Sequence, residues 1–145
     1  VMMKIGDLAR AARCTVETVR YYEREGLLAA PMRTSGNFRD YGEAHLERLR
    51  LIRNCRALDM SHDEIRSLLA LADQPAAGCG AVNAVFDAHI AHVDERIREL
   101  EQLRATLTGL RERCQREQAV GDCGILQGIA EMENLPRAER HTHLG

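Results

Sequence analysis

Three cysteines stand where the chain changes character: Cys79 in QPAAGCG, ahead of a long helical pattern, Cys114 at the far end of that pattern, and Cys123 nine residues further on in CQREQAVGDC. Gly121 and Gly124 let this last loop fold back, so that Cys114 and Cys123 can meet around one ion, as metal-binding loops do. A site made of three thiolates favours a soft, polarisable ion. Zinc prefers a fourth ligand and copper(I) is content with two, so a large thiophilic divalent ion fits better. Lead(II), Pb(II), suits three sulfurs in particular, because its lone pair can occupy the open side of a pyramid; Cd(II) and Hg(II) accept three thiolates as well. The competing chemistry is redox sensing, with Cys114 and Cys123 joined in a disulfide. The odd total of five cysteines argues against a disulfide framework. Cys14 and Cys55, each isolated in sequence, read as small structural residues.

One chain cannot close such a site. The 35 residues from Cys79 to Cys114 span about 50 Å as a continuous helix, at about 1.5 Å per residue. In an antiparallel dimer the start of one long helix lies beside the end of the other. Cys79 of one subunit then meets Cys114 and Cys123 of its partner, giving two equivalent sites.

A second constellation lies near the start. The chain has three tyrosines, two phenylalanines and no tryptophan, and four of these five rings fall between Tyr21 and Tyr41. Rings that fill a core would be spread along the whole chain. In VETVRYYEREGLL the face opposite Val16 and Val19 carries Glu17, Arg20, Tyr21 and Arg24, with Thr18 on the same helix. Guanidinium groups and a phenol on an exposed helix suit phosphate oxygens and base edges in a major groove. Arg33, Asn37, Arg39 and Tyr41 extend that contact onto the next segment, with Arg53 beyond, and Tyr22 divides between core filler and a second phosphate donor. Surface pairing with Glu17, Glu23 and Glu25 would explain any one arginine by itself. The charge distribution favours a polyanion: residues 1–60 hold 11 basic and 8 acidic groups, residues 61–145 hold 9 and 14, and Lys4 is the single lysine among 20 basic residues.

The elements that must position these groups are nearly all helical. Ile5, Leu8, Ala9 and Ala12 define a first helix, a turn at Arg13 and Cys14 leads to a second capped by Thr15, and Gly26 ends it. Two short helices joined by a tight turn read as a helix-turn-helix. PMRTSGNFRDY, with Ser35, Gly36 and Asn37 at its turn, predicts a hairpin wing. Asp40 with Glu43 predicts the start of a helix through about Cys55, and Ser61 with Glu64 a capping box before IRSLLALA. From 81 to 118 runs one long helical pattern. Its seam is Phe86, Ile90, Val93, Ile97, Leu100, Leu103, Leu107, Leu110 and Cys114, alternating threes and fours with one change of stagger at Leu100. A single narrow stripe with no second long helix in the chain predicts a homodimer.

KIGDLARAARCTVETVRYYEREGLL and RTSGNFRDYGEAHLERLRLIRNCRALDMSHDEIRSLL resemble the MerR family of metal- and drug-responsive transcription regulators, over nearly the whole chain. The resemblance implies a winged helix-turn-helix dimer that binds double-stranded promoter DNA and, with its effector bound, bends and untwists an overlong spacer so that RNA polymerase can use the promoter. CGAVNAVFDAHI and DCGILQGI further resemble the lead- and cadmium-responsive branch, whose metal cysteines match Cys79, Cys114 and Cys123; mercury-responsive members share these spacings.

The expected architecture is therefore mainly α: a winged helix-turn-helix DNA-binding domain over 3–73, a linker with a metal cysteine at 74–80, a long antiparallel coiled-coil dimerisation helix over 81–118, a metal-binding loop and short helix over 119–132, and a flexible tail, 133–145. His141 and His143 in that tail could add an accessory site, although a polar terminus is more often disordered. No nucleophile with a base partner, phosphate-cradling glycine loop or paired carboxylates appear, so an enzyme is not expected. Nor is any stretch apolar enough to span a membrane, and MMKIGDLAR lacks a signal peptide's apolar core, so a cytoplasmic protein is expected.

Overall fold

The computed structural model describes residues 2–33 and 39–133; the side chain of Arg39 lies outside the described set. Asn37 at the wing tip, and His141 and His143 in the tail, also fall outside it. The chain forms two compact units, Val1–Val85 and Phe86–Gly145. No helix among the described residues is long and apolar enough to cross a membrane.

In the first unit α1 (Ile5–Ala11) and α2 (Val16–Arg24) form the helix-turn-helix, β1 (Met32–Arg33) and β2 (Arg39–Asp40) pair antiparallel as the wing, and α3 (Glu43–Ala57) and α4 (His62–Ala72) complete the unit. Leu8, Val19, Tyr41, Leu49, Ile52 and Ile65 are fully enclosed at its centre. The wing is tied to the segment before α1: Met3 and Tyr41 exchange backbone bonds of 2.7 and 2.8 Å, and the Lys4 ammonium reaches Asp40 at 2.6 Å.

Three of these helices end in the same closure. After α2, Gly26 adopts φ +74°, Leu27 N–H returns to the Tyr22 carbonyl at 2.9 Å and Gly26 N–H to that of Glu23 at 3.1 Å. That is a Schellman motif, which satisfies the last orphan carbonyls of a helix. α1 closes likewise on Arg13 (φ 56°), with Cys14 N–H to Ala9, and α3 on Asp59 (φ 60°), with Met60 N–H to Cys55. Of the three left-handed positions only Gly26 carries the residue suited to it.

Helix starts follow the expected caps with one exception. The Thr15 hydroxyl accepts the Thr18 N–H at 3.1 Å, and Ser61 and Glu64 exchange side-chain and backbone bonds of 3.1 and 2.8 Å. α3, however, starts after Gly42, where the His45 ring accepts the Gly42 N–H at 3.0 Å. Asp40 is held in β2 by pairing and by Lys4, which removes it from a capping position.

α5 runs from Gly80 to Arg111, so the expected helix to 118 stops seven residues early. Beyond Leu110 the sequence offers no further apolar face. Three-residue bonds, Arg113 N–H to Leu110 and Cys114 N–H to Arg111, tighten the last turn, and the Arg111 guanidinium donates to the Cys114 carbonyl at 2.7 Å. A 3₁₀ turn at Val120–Asp122 leads to α6 (Gly124–Glu131). In this second unit Ile90, Ile97, Leu100, Leu103 and Leu107 are each 47–57% exposed, a row of large apolar side chains at coiled-coil spacing that no described residue of the chain covers.

Candidate nucleic-acid interface and metal centre

Of the expected nucleic-acid contacts, Arg20, Arg24, Arg33 and Arg53 are exposed. Tyr21 is 36% exposed, with the Arg24 guanidinium carbon 6.0 Å from its ring centre, a cation–π arrangement that keeps charge and phenol together. Thr18 is half-buried and its hydroxyl lies 2.9 Å from that of Thr15, so it supports the cap.

Burial decides the open reading of Tyr22 for the core and corrects the expected contact at Tyr41. Tyr22 is 8% exposed and Tyr41 is fully enclosed. Tyr22 follows Val19 by three residues on the buried face of α2 and sits where the Schellman bond closes. Tyr41 is held by the Met3 bridge, its ring meets His45 edge-on at 5.2 Å between centres, and its hydroxyl donates to the Glu23 carboxylate. Buried phenols with these partners are core residues. Burial pushes the Tyr22 pKa up, opposed by Arg56 and assisted by Cys14 and Tyr21.

A residue the sequence reading passed over completes this face. His62, first in α4, places its ring 5.6 Å from Tyr21 and 6.3 Å, edge-on, from Tyr22. The signal was available: the capping box fixes the position after Ser61 at the helix start, and in a chain poor in rings an imidazole there has few partners to choose from.

The cysteines separate into two kinds. Burial raises the pKa of Cys14, with the Arg53 guanidinium opposing it, and raises that of Cys55. Both belong to the first unit, where Cys55 is buried and Cys14 half-buried.

Cys123 behaves oppositely. It is the residue before α6, and its pKa is lowered by the backbone amides of Leu126 and Ile125, with slight desolvation opposing and a hydrogen bond with the Cys114 thiol adding to the lowering. The geometry falls short of a regular cap bond, so the amides act as oriented dipoles at the open end of the helix. Gly124 packs directly against the Arg113 backbone, which brings the adjacent Cys123 and Cys114 near one another, and the helix start lowers the Cys123 pKa. The Cys114 thiol itself approaches the Arg116 carbonyl at 3.6 Å. Cys79 is exposed immediately before α5.

What holds the loop closed is a pair of glycines on one side of α6. A Cβ at Gly124 would meet the Arg113 carbonyl oxygen at 2.5 Å, and one at Gly128 would meet the Arg113 guanidinium at 2.4 Å and Leu110 at 2.8 Å. Gly124 was anticipated as a loop residue; its role is close backbone approach at the helix start. Gly121 faces open space. Arg113 also reaches the Glu131 carboxylate at 3.7 Å, joining the first and last turns of the folded-back segment.

The family described as MerR HTH family regulatory protein matches residues 3–72, and that described as MerR, DNA binding matches residues 46–110. A regulator from Haemophilus influenzae, described as an HTH-type transcriptional regulator ZntR homolog, is 55% identical over 77% of this chain and 82% of its own length. The crystal structure of the transcription regulator PbrR691 from Ralstonia metallidurans CH34, in complex with lead(II), superposes with a TM-score of 0.80 at 53% identity, covering 88% of this chain and 98% of that one. MerR from Bacillus megaterium MB1, in complex with mercury(II), gives a TM-score of 0.72 at 27% identity over 89% of this chain and the whole of the other. A helix-turn-helix with wing followed by a long helix, together with these matches over most of the chain, makes it a member of the MerR family of helix-turn-helix transcriptional regulators, and not an enzyme.

Proposed function

We propose that this regulator binds promoter DNA as an antiparallel homodimer and activates heavy-metal resistance genes when a soft divalent ion, lead(II) in the first place, occupies a three-thiolate site formed by Cys114 and Cys123 of one subunit and Cys79 of its partner. RNA polymerase at the same promoter is the machinery that reads the change. The observation that carries the proposal is the close approach of Gly124 to Arg113, which brings their neighbours Cys123 and Cys114 to one end of α5, with the Cys123 pKa lowered there. Metal binding requires thiolates, so a helix start that favours the thiolate favours the metal. The donor set also fits the ion: sulfur ligands select soft metals over magnesium or calcium.

The third thiolate comes from elsewhere. α5 is an unbroken helix of 32 residues, about 48 Å long at about 1.5 Å per residue, with Cys79 before its first residue and Cys114 after its last. Its exposed Ile and Leu stripe supports dimerisation, and an antiparallel pairing carries the partner's Cys79 toward the folded-back loop. Similarity to a regulator crystallised with lead supports lead among the ions; similarity to one crystallised with mercury supports the same soft chemistry. The DNA-contacting groups proposed are Arg20, Tyr21 and Arg24 on α2, with Arg33, Asn37, Arg39 and Arg53 around the wing and α3.

The test is a mixed dimer of a Cys79→Ser chain and a Cys114→Ser chain. Shared sites leave one site with both lesions and one intact, so half the dimer's lead capacity survives with wild-type affinity, read from sulfur-to-lead charge-transfer absorption. Purified mixed dimer with no high-affinity lead defeats the shared site. A metal-free protein that switches DNA affinity on oxidation of Cys114 and Cys123 would replace the metal reading with a redox one.

A further inference from the structure

We propose that His62 is a positioning residue for DNA recognition: its ring Nδ1 donates to the Tyr21 hydroxyl oxygen and so leaves the phenol proton aimed at a backbone phosphate. The proposal rests on the reading of Tyr21 as a DNA contact and adds the group that orients it.

A tyrosine on an exposed helix face turns freely about its side-chain bonds, and fixing it on binding costs entropy that a preorganised ring avoids. Tyr21 is held on three sides. Its ring centre lies 5.6 Å from that of the buried Tyr22, 5.6 Å from that of His62, and 6.0 Å from the Arg24 guanidinium carbon. His62 is itself placed by the reciprocal Ser61–Glu64 bonds that fix the first turn of α4, and by its edge-on packing against Tyr22. The tyrosine pair of α2 and the start of α4 are thus one aromatic cluster whose outermost ring is Tyr21.

The polar contact decides the chemistry. Tyr21 Oη lies 3.4 Å from His62 Nδ1, at the outer range of a hydrogen bond. If Nδ1 accepted, the phenol proton would be spent on the imidazole and the oxygen would present lone pairs only. A phosphate oxygen is an acceptor, so a contact in that state is repulsive. If instead Nδ1 carries a hydrogen and donates, the Tyr21 oxygen accepts and its own O–H is free to donate to phosphate. A bound phosphate therefore selects the Nδ1–H form of His62, and the imidazole selects the useful direction of the phenol.

The test measures binding of the full-length dimer to a duplex recovered from a randomised pool by the wild-type protein, by fluorescence anisotropy over a range of salt. Tyr21→Phe weakens binding about tenfold, the size of one hydrogen bond to a charged acceptor. His62→Gln, whose amide cannot occupy the Nδ1 position, weakens it about three- to tenfold; His62→Asn, whose amide can, recovers at least half of that factor. In the Tyr21→Phe background His62→Gln adds no further loss. The slope of log affinity against log salt stays unchanged throughout, because a neutral phenol displaces no counterion.

Equal losses from His62→Gln with and without the Tyr21 hydroxyl would overturn the proposal, as would Asn behaving no better than Gln. A salt slope reduced by about one in His62→Gln would overturn it differently, making His62 a cationic phosphate contact in its own right. If Tyr21→Phe weakens binding and His62→Gln does not, only the positioning role fails. If Tyr21→Phe binds like wild type, the contact beneath it fails too.

Discussion

Replacing the two anticipated loop glycines by alanine separates a hinge from a close-packed contact. At Gly124 an added Cβ lies 2.5 Å from the Arg113 carbonyl oxygen, and the nearest ordinary contact is 3.4 Å, so two backbones must part by about 0.9 Å. Neither partner is the free end of a side chain. Overpacking of this kind costs about 1–3 kcal/mol, and the lower backbone entropy of alanine in a helix returns about 0.5–1 kcal/mol. The net is about 0.5–2 kcal/mol, drawn from the docking that holds the Ile125 and Leu126 amides behind the Cys123 sulfur. Lead affinity in Gly124→Ala should then fall about 2- to 30-fold, at about 1.4 kcal/mol per tenfold. Gly128→Ala meets only the Arg113 guanidinium and the end of Leu110, both able to swing aside, and should lose less. Gly121→Ala has nothing within 4 Å and should bind like wild type. Competition titration against a thiol chelator, followed by charge-transfer absorption, ranks the three, and far-UV circular dichroism checks the fold. Wild-type lead affinity in Gly124→Ala, or a loss confined to Gly121→Ala, would refute the packing argument.

Arg20→Ala should weaken operator binding and lower the salt slope by about one while leaving lead affinity unchanged, measured on the same protein by anisotropy and metal titration. Leu100→Asp puts a charge into the exposed stripe of α5 and should yield monomers by sedimentation, losing lead and DNA binding together. Arg13→Gly and Asp59→Gly relieve left-handed positions at φ 56° and 60° and should each raise stability in thermal melts by up to about 1 kcal/mol, more for arginine, because aspartate tolerates this region better. Cys123 should be alkylated at lower pH than Cys14 or Cys55: the helix-start amides lower its pKa, whereas burial raises theirs, so its thiolate forms first as pH rises, as peptide mass spectrometry of iodoacetamide-treated apoprotein can establish.

Local chemistry carries much of this protein in its sequence. Thr15 and the Ser61–Glu64 pair announce helix starts because a cap depends on residues three apart, and Gly26 announces a helix end because the left-handed turn suits it. The α5 stripe and the exposed guanidinium groups of α2 were legible for the same reason: period and spacing are properties of one dimension. Tertiary structure decided what depends on who meets whom. Tyr21 and Tyr22 are chemically identical neighbours, yet one lies at the surface and the other closes the core, because the 100° between successive helix residues turns only Tyr22 toward Val19's side. Tyr41 looked like a wing contact until the Met3 bridge and the Glu23 carboxylate enclosed it. α6 folds back onto Arg113, beyond the end of α5 at Arg111, because Gly124 and Gly128 permit an approach that no side chain would allow. That approach also puts Cys123 at a helix start. A thiol's readiness to become a thiolate depends on the dipoles around it, and those are arranged only when the chain folds.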